Sequence, residues 1–310
     1  MFDTPVYKIL APNDTGAARG HQAGIVIPAA IEDFFPDVIG TITGESPTAD
    51  VPVAAELVVD GRSVARVETR YQYQTWGGTR SPERRLTNSL GPLRNAANPH
   101  DMVLFSRDPE KPDLMKLTLL RAGSAEYEEI IDKNPTERWG VVPGLPQPVS
   151  NRDIRNAQDA IEALNAGEFA LFDNERPVLE TPVRKKARNS AFRKNLIRAY
   201  GTSCMASGDL LETPDGLFNL DAAHIVPVES GGSDDVRNGL LFGKDVHWAF
   251  DKGLFSIDDD YEIIVSTFAT TSVNCELVKR LDGNTLVSPV GPLIAHLDAL
   301  RWHRDNRFLG

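Results

Sequence analysis

Cysteine is nearly absent: the chain of 310 residues holds two, Cys204 and Cys275. Two thiols cannot supply a Cys-rich zinc site or a disulfide framework, so a reducing cytosol is the expected compartment and both read as small buried hydrophobes. No window approaches the ~20 uninterrupted apolar residues of a membrane-spanning helix. The opening Met1-Phe2-Asp3-Thr4-Pro5 lacks a basic stretch followed by an apolar run, so no signal peptide is expected. The expectation is a soluble cytoplasmic protein with no membrane partner. Positive charge is also short, 33 Lys and Arg against 44 Asp and Glu, a formal net charge of −11. Any contact with a polyanion must therefore come from local basic clusters rather than the average field. No repeat of 20–50 residues is present, which excludes a solenoid or propeller. What remains is 41% apolar residues, enough for two cores at a prior of ~150 residues per domain.

Three regions follow. Up to residue 133 the apolar runs are short and broken by Gly and Pro, as in Gly24-Ile25-Val26-Ile27-Pro28, Met102-Val103-Leu104-Phe105 and Met115-Lys116-Leu117-Thr118-Leu119-Leu120. That punctuation indicates a β-sandwich or barrel. Asp60-Gly61 between two runs signals a hairpin, and one short helix is expected from Ala29 to Phe35, between Pro28 and Pro36. Residues 134–182 carry several prolines and one helical pattern, Ser150 to Ala166, opened by a capping serine and closed before Gly167; they read as a connector. Residues 183–310 form the third region. It begins with Arg184 to Arg198, where seven basic residues, Lys185, Lys186, Arg193 and Lys194 among them, stand without one acid. Such a run is commonly a solvated helix face; on an acidic chain it is also the place where phosphate would be held.

Beyond it, Asp221-Ala222-Ala223-His224-Ile225 is followed by Gly231-Gly232, Asn238-Gly239-Leu240-Leu241 and His247-Trp248-Ala249-Phe250-Asp251. Singly, each polar residue has an ordinary structural explanation. Together they alternate with strand, glycine-loop and helix signals. Lys244 to Asp251 reads as a helix, so His247 and Asp251 share a face and offer a nitrogen and an oxygen to one divalent cation. His224, ending an apolar strand, titrates near neutrality and suits deprotonation of water. Asn238 can bond backbone or imidazole and hold the loop in place.

At these residues the sequence resembles the HNH nuclease family, over roughly Phe192 to Ser266, with Trp302-His303-Arg304 as a further tail. The resemblance implies a ββα-metal fold, His224 as general base, Asn238 as the central Asn and His247 as metal ligand, working with Mg²⁺ or Mn²⁺. Ala223 stands where the commonest pattern has an acidic or histidine ligand just before the base, so the replacement is expected from Asp221 or Asp251. Cys-x-x-Cys knuckles are missing, and no structural zinc is expected. His296 and His303 read as packing or surface residues.

The N-terminal region concentrates groups able to pair with base edges in two places. One holds Asn13, Asp14, Thr15, Arg19, His21 and Gln22; the other holds Arg80, Glu83, Arg84 and Arg85, followed by Arg94. Asn13-Asp14-Thr15-Gly16, His21-Gln22-x-Gly24, Ile27-Pro28, Thr79-Arg80 and Glu83-Arg84-Arg85 are similar to the N-terminal effector domain of the EcoRII restriction endonuclease. That implies a DNA-binding pseudobarrel, related to a plant transcription-factor domain, that grips a short site between two arms. Pro82 is an extra residue in the second arm, and EcoRII's catalytic domain has no counterpart here.

The expectation is an α+β protein: a β-pseudobarrel at 1–133, a connector at 134–182 and an HNH domain at 183–310. Its expected activity is restriction-type cleavage of double-stranded DNA, as a homodimer on DNA because one site cuts one strand at a time. The rivals are a nuclease that senses modified DNA, a DNA-binding protein with an inactive HNH site, and an RNA nuclease.

Overall fold

The structure, a computed structural model, describes residues 2–16, 24–38, 42–78, 80–174, 180–214 and 216–310. Two compact units divide at residue 153, Met1–Asp153 and Ile154–Gly310.

In the first unit the short apolar runs become strands β1 (Val6–Ile9), β2 (Ile25–Ile27), β3 (Thr48–Val59), β4 (Arg62–Gln74), β5 (Glu83–Thr87), β6 (Met102–Arg107), β7 (Leu114–Leu120) and β8 (Trp139–Val141). They form one sheet in the order β2-β5-β4-β3-β7-β6-β1-β8, curled into a half-barrel. Among the described residues, β3 and β7 alone pair in parallel. Period-two alternation sends Val6, Phe105, Met115 and Leu117 into the main core with Phe35 and Tyr71. It sends Tyr7, Met102 and Leu120 to the other face, under Ile130. Ile130 belongs to α2 (Ala125–Lys133), which follows the single turn α1 (Gly91–Arg94). Asp60 and Gly61 both take positive φ, 49° and 75°, the two-residue turn that their sequence signalled. The expected helix after Pro28 is present as a 3-10 segment, Ala29–Phe34.

The proline-rich stretch after residue 133 is not plain connector. Trp139–Val141 pairs with β1 as the edge strand. Arg107, fully buried on β6, donates to the Asn151 side chain and the Val149 carbonyl, and Asp3 accepts from Val149 N at 2.7 Å. Residues up to 153 are thereby tied to the sheet.

Helix α3 (Asn151–Ala166) opens on a reciprocal cap, with Ser150 Oγ accepting from Asp153 N and Asp153 Oδ2 from Ser150 N, each at 3.0 Å. The second unit continues with α4 (Pro182–Tyr200), β9 (Leu220–His224), β10 (Gly239–Gly243), α5 (Lys244–Asp251), β11 (Phe255–Ile257), β12 (Ile263–Val265), α6 (Thr267–Thr271), α7 (Glu276–Lys279) and α8 (Leu297–Asn306). β9 and β10 form an antiparallel hairpin that α5 follows directly, the ββα unit. Phe192, Leu196, Leu240, Phe242, Phe250 and Phe255 fill the core around it, and Cys204 is buried among them.

His303 of α8 is buried, stacked on Phe250 with ring centroids 3.8 Å apart. Its Nε2 donates to the Phe250 carbonyl at 3.2 Å, and Nδ1 stands 2.8 Å from Ser256 Oγ. Burial pushes its pKa down to about 4 from 6.5. The neutral ring is therefore the folded form, and its contribution is complete above pH 6.5, where neither state is protonated. As pH falls from 6.5 to about 4 the unfolded chain takes up a proton that the folded one refuses, and about 3 kcal/mol is lost. Denaturant titrations at pH 7 and pH 4.5 should show most of that loss in the parent, and a shallower slope in His303→Gln.

Candidate active site and recognition arms

The hairpin register decides which side chains meet. Cross-strand partners share a face, so His224, opposite Gly239, faces one way, while Asp221, opposite Phe242, faces the other together with Ala223. On the first face, the His224 ring stacks on Phe192 of α4, centroids 4.0 Å apart and planes 12° apart. Gly239 makes room for this: a Cβ there would lie 2.6 Å from Phe192 Cζ. His224 Nε2 lies 2.9 Å from Asp234 Oδ1, and Arg188 Nη1 donates to the same oxygen at 2.9 Å. Arg188 Nε also reaches Glu180 Oε1 at 3.2 Å.

On the other face, His247 of α5 places Nδ1 3.5 Å from Asp221 Oδ2 and Nε2 3.5 Å from Asp251 Oδ2. The bond to His247 holds the Asp221 carboxyl below its ordinary pKa; burial opposes that, and Lys244 and Arg193 add to it. Asp221 and Asp251 stay partly open to solvent. Because Asp221 is two residues from Ala223, it occupies the face where position 223 would have presented a ligand. The donors, carboxylate oxygen and imidazole nitrogen, suit Mg²⁺ or Mn²⁺. Among the described residues no group of three or more His, Cys, Asp or Glu already surrounds one point. A hard cation that keeps several waters and takes one or two protein carboxylates needs no such cage, so the residues present fit it.

Asn238 is fully buried and clamps the intervening loop. Its Oδ1 accepts from Val226 N at 2.9 Å, and its Nδ2 donates to Val226 O at 3.1 Å and Ser233 O at 2.8 Å. Gly232 is the close approach in that loop, where a Cβ would sit 1.8 Å from Val226 O. Asn238 thus acts on the backbone between His224 and β10, one of the two roles open to it from sequence.

Sequence reading misses the roles of Asp234, Arg188 and Phe192, although Asp234 stands two residues after Gly231-Gly232. Of the basic run, Lys185 and Lys186 are exposed and Lys194 half-buried, while Arg193 Nε donates to Leu220 O at 3.1 Å, beside Asp221.

In the first unit, several residues expected to face DNA do otherwise. Asp14 and Thr15 are fully buried. Asp14 accepts from Ala11 N at 2.8 Å and Val26 N at 2.9 Å and pairs with buried Lys8 at 2.7 Å. Arg94 donates to the carbonyls of Asp14 and Thr15 at 2.9 and 2.8 Å. These three direct those polar atoms into the protein, onto backbone groups and Lys8, rather than outward. Asn13 is exposed, and Arg19, His21 and Gln22 lie outside the described residues. In the second arm, Arg80 lies over Trp76 at 5.2 Å, and Arg84 over Tyr73 at 4.2 Å while pairing with Glu32 at 2.6 Å. Arg85 pairs with Glu83, and register sets the two opposite Gln72 and Gln74 of β4. Asp14→Ala strands the Lys8 ammonium, and a loss of about 3–5 kcal/mol in urea unfolding is expected.

Each of the two domains matches a known family model. Residues 3–151 match the family model described as restriction endonuclease EcoRII, N-terminal, and residues 204–258 the model described as HNH endonuclease. No curated protein matches the sequence. Among solved structures, the modification dependent TagI restriction endonuclease is similar at 13% identity, over 96% of each chain, with a TM-score of 0.29. The UbaLAI restriction endonuclease B3 domain with cognate DNA is similar at 18% identity, over 48% of this chain and 86% of that one, with a TM-score of 0.28. Among the described residues no helix is long and apolar enough to cross a membrane. An EcoRII N-terminal domain and an HNH endonuclease domain are joined in this one chain, which is a DNA-cleaving endonuclease of the restriction type.

Proposed function

We propose that the chain cuts double-stranded DNA at short sites chosen by its first domain, with His224 as general base and a divalent cation, Mg²⁺ or Mn²⁺, held by His247 with Asp221 and Asp251. The observation that carries this reading is that one hairpin presents both groups: His224, held by Asp234, ends β9, and Asp221 of the same strand meets His247 of the helix that follows β10. When bound, the cation supplies charge stabilisation at the phosphate and the leaving oxygen. His224 takes the proton of the attacking water. Asn238 fixes the loop that carries Asp234, and exposed Lys185 and Lys186 attract the backbone. Asn13, Arg80, Glu83, Arg84 and Arg85 are the described candidates for contact with DNA in the first domain, with Arg19, His21 and Gln22 completing the first arm. A homodimer on DNA pairs two such sites for the two strands.

Incubating unmodified and modified genomic DNA with the protein in Mg²⁺ and sequencing the ends tests this. The expected result is cuts at a fixed offset from a recurrent short sequence in unmodified DNA. Cuts confined to modified DNA would replace target choice by sequence with modification sensing. Absence of cuts in both would overturn the hydrolytic reading.

A further inference from the structure

We propose that Asp234 is the positioning residue of the base: it accepts a hydrogen bond from Nε2–H of His224, fixes the tautomer, and so puts on Nδ1 the lone pair that takes the proton from water. This rests on His224 acting as the base.

Contacts from the loop and from α4 carry it. Asp234 Oδ1 is 2.9 Å from His224 Nε2 and 2.9 Å from Arg188 Nη1. Its side chain is 7% exposed, so the carboxylate has left water and is stabilised chiefly by the cation beside it. Arg188, itself 12% exposed and held by Glu180, approaches from α4. Phe192, one turn further along α4, lies flat on the imidazole. The ring is thus fixed in plane by stacking and in rotation by the carboxylate, and the guanidinium holds that carboxylate in place. A carboxylate accepts and cannot donate, so a neutral imidazole must present Nε2 as N–H to it. Asp234 from the loop and Arg188 and Glu180 from α4 and its approach are among the groups facing the ring region, and the Asp234 carboxylate also stabilises the imidazolium formed once the water is deprotonated. The proton moves from water to Nδ1, the hydroxide electron pair forms the new bond to phosphorus, and the P–O bond to the leaving sugar oxygen breaks with its electron pair going to that oxygen, which takes a proton from solvent.

The test has two arms. In the parent, two-bond ¹H–¹⁵N spectra of the imidazoles at a pH where His224 is neutral should show its proton on Nε2; a proton on Nδ1 overturns the proposal without any variant. In Asp234→Asn, whose amide can donate to the ring, the proton should move toward Nδ1. Its kcat should fall on the order of 10²–10⁴-fold while KM for DNA and the melting curve stay near the parental values. Retention of more than half the parental kcat by Asp234→Asn, with His224→Ala inactive, overturns the positioning role alone. Cleavage by His224→Ala removes the base on which it rests.

Discussion

His224→Ala abolishes cleavage, lowering single-turnover rates by at least on the order of 10²–10⁴-fold, and leaves the affinity for DNA within about twofold of the parent. The two outcomes separate because the ring and the first-domain candidates for DNA contact lie in different compact units, and Lys185 and Lys186 stand on α4 rather than on the strand that carries the substitution. His224 is also a small part of its own core. It sits at the end of β9 with its ring against Phe192, so truncation removes one stacking contact and the Asp234 bond while the hairpin register remains set by β10. A variant that cuts as fast as the parent would place the base elsewhere.

The second large effect is expected at Asn238, where the reason is backbone rather than chemistry. Its side chain satisfies one buried N–H and two buried carbonyls. Asn238→Asp keeps the size but turns the end that faces Val226 O and Ser233 O into an acceptor, so two carbonyls lose their donor and a buried carboxylate is created. At about 1–3 kcal/mol for each buried group left unsatisfied, and more for a charged one, a loss of about 4–6 kcal/mol is expected. Urea unfolding at neutral pH measures it. Cleavage should fall with it, because Asp234 rides on the loop that Asn238 closes. Unchanged stability in Asn238→Asp would mean that the clamp is not made.

What the sequence showed plainly are the features set by neighbours along the chain. Asp60-Gly61 specifies a turn with two positive φ values, Ser150 and Asp153 specify a helix start, and Lys244 to Asp251 specifies the helix that carries His247. These depend on local backbone chemistry and survive without tertiary context. The His, Asn, His order is legible because each falls on or beside such an element: His224 ends β9, Asn238 directly precedes β10 and His247 lies within α5. Contacts made across the fold were not legible. Arg188 reaches Asp234 over 46 residues, and nothing in a basic run says which arginine will turn inward. Trp139–Val141, flanked by proline-rich sequence, becomes a strand because β1 offers an unpaired edge. Asp14, Thr15 and Arg94 show the converse: polar residues in a turn look alike whether they meet a base or a backbone amide, and here burial decides for the backbone.

The central claim is that the imidazole of His224 and a cation held by His247 and Asp221 lie close enough to act on one phosphodiester. Paramagnetic broadening by Mn²⁺ tests it most directly, since the chain has only six histidines and the His224 signals are assigned by their loss in His224→Ala. Substoichiometric Mn²⁺ should broaden the ring signals of both His247 and His224 in the parent and leave those of His224 sharp in His247→Ala. Broadening of His247 with His224 left sharp would put the cation out of reach of the base and contradict the mechanism.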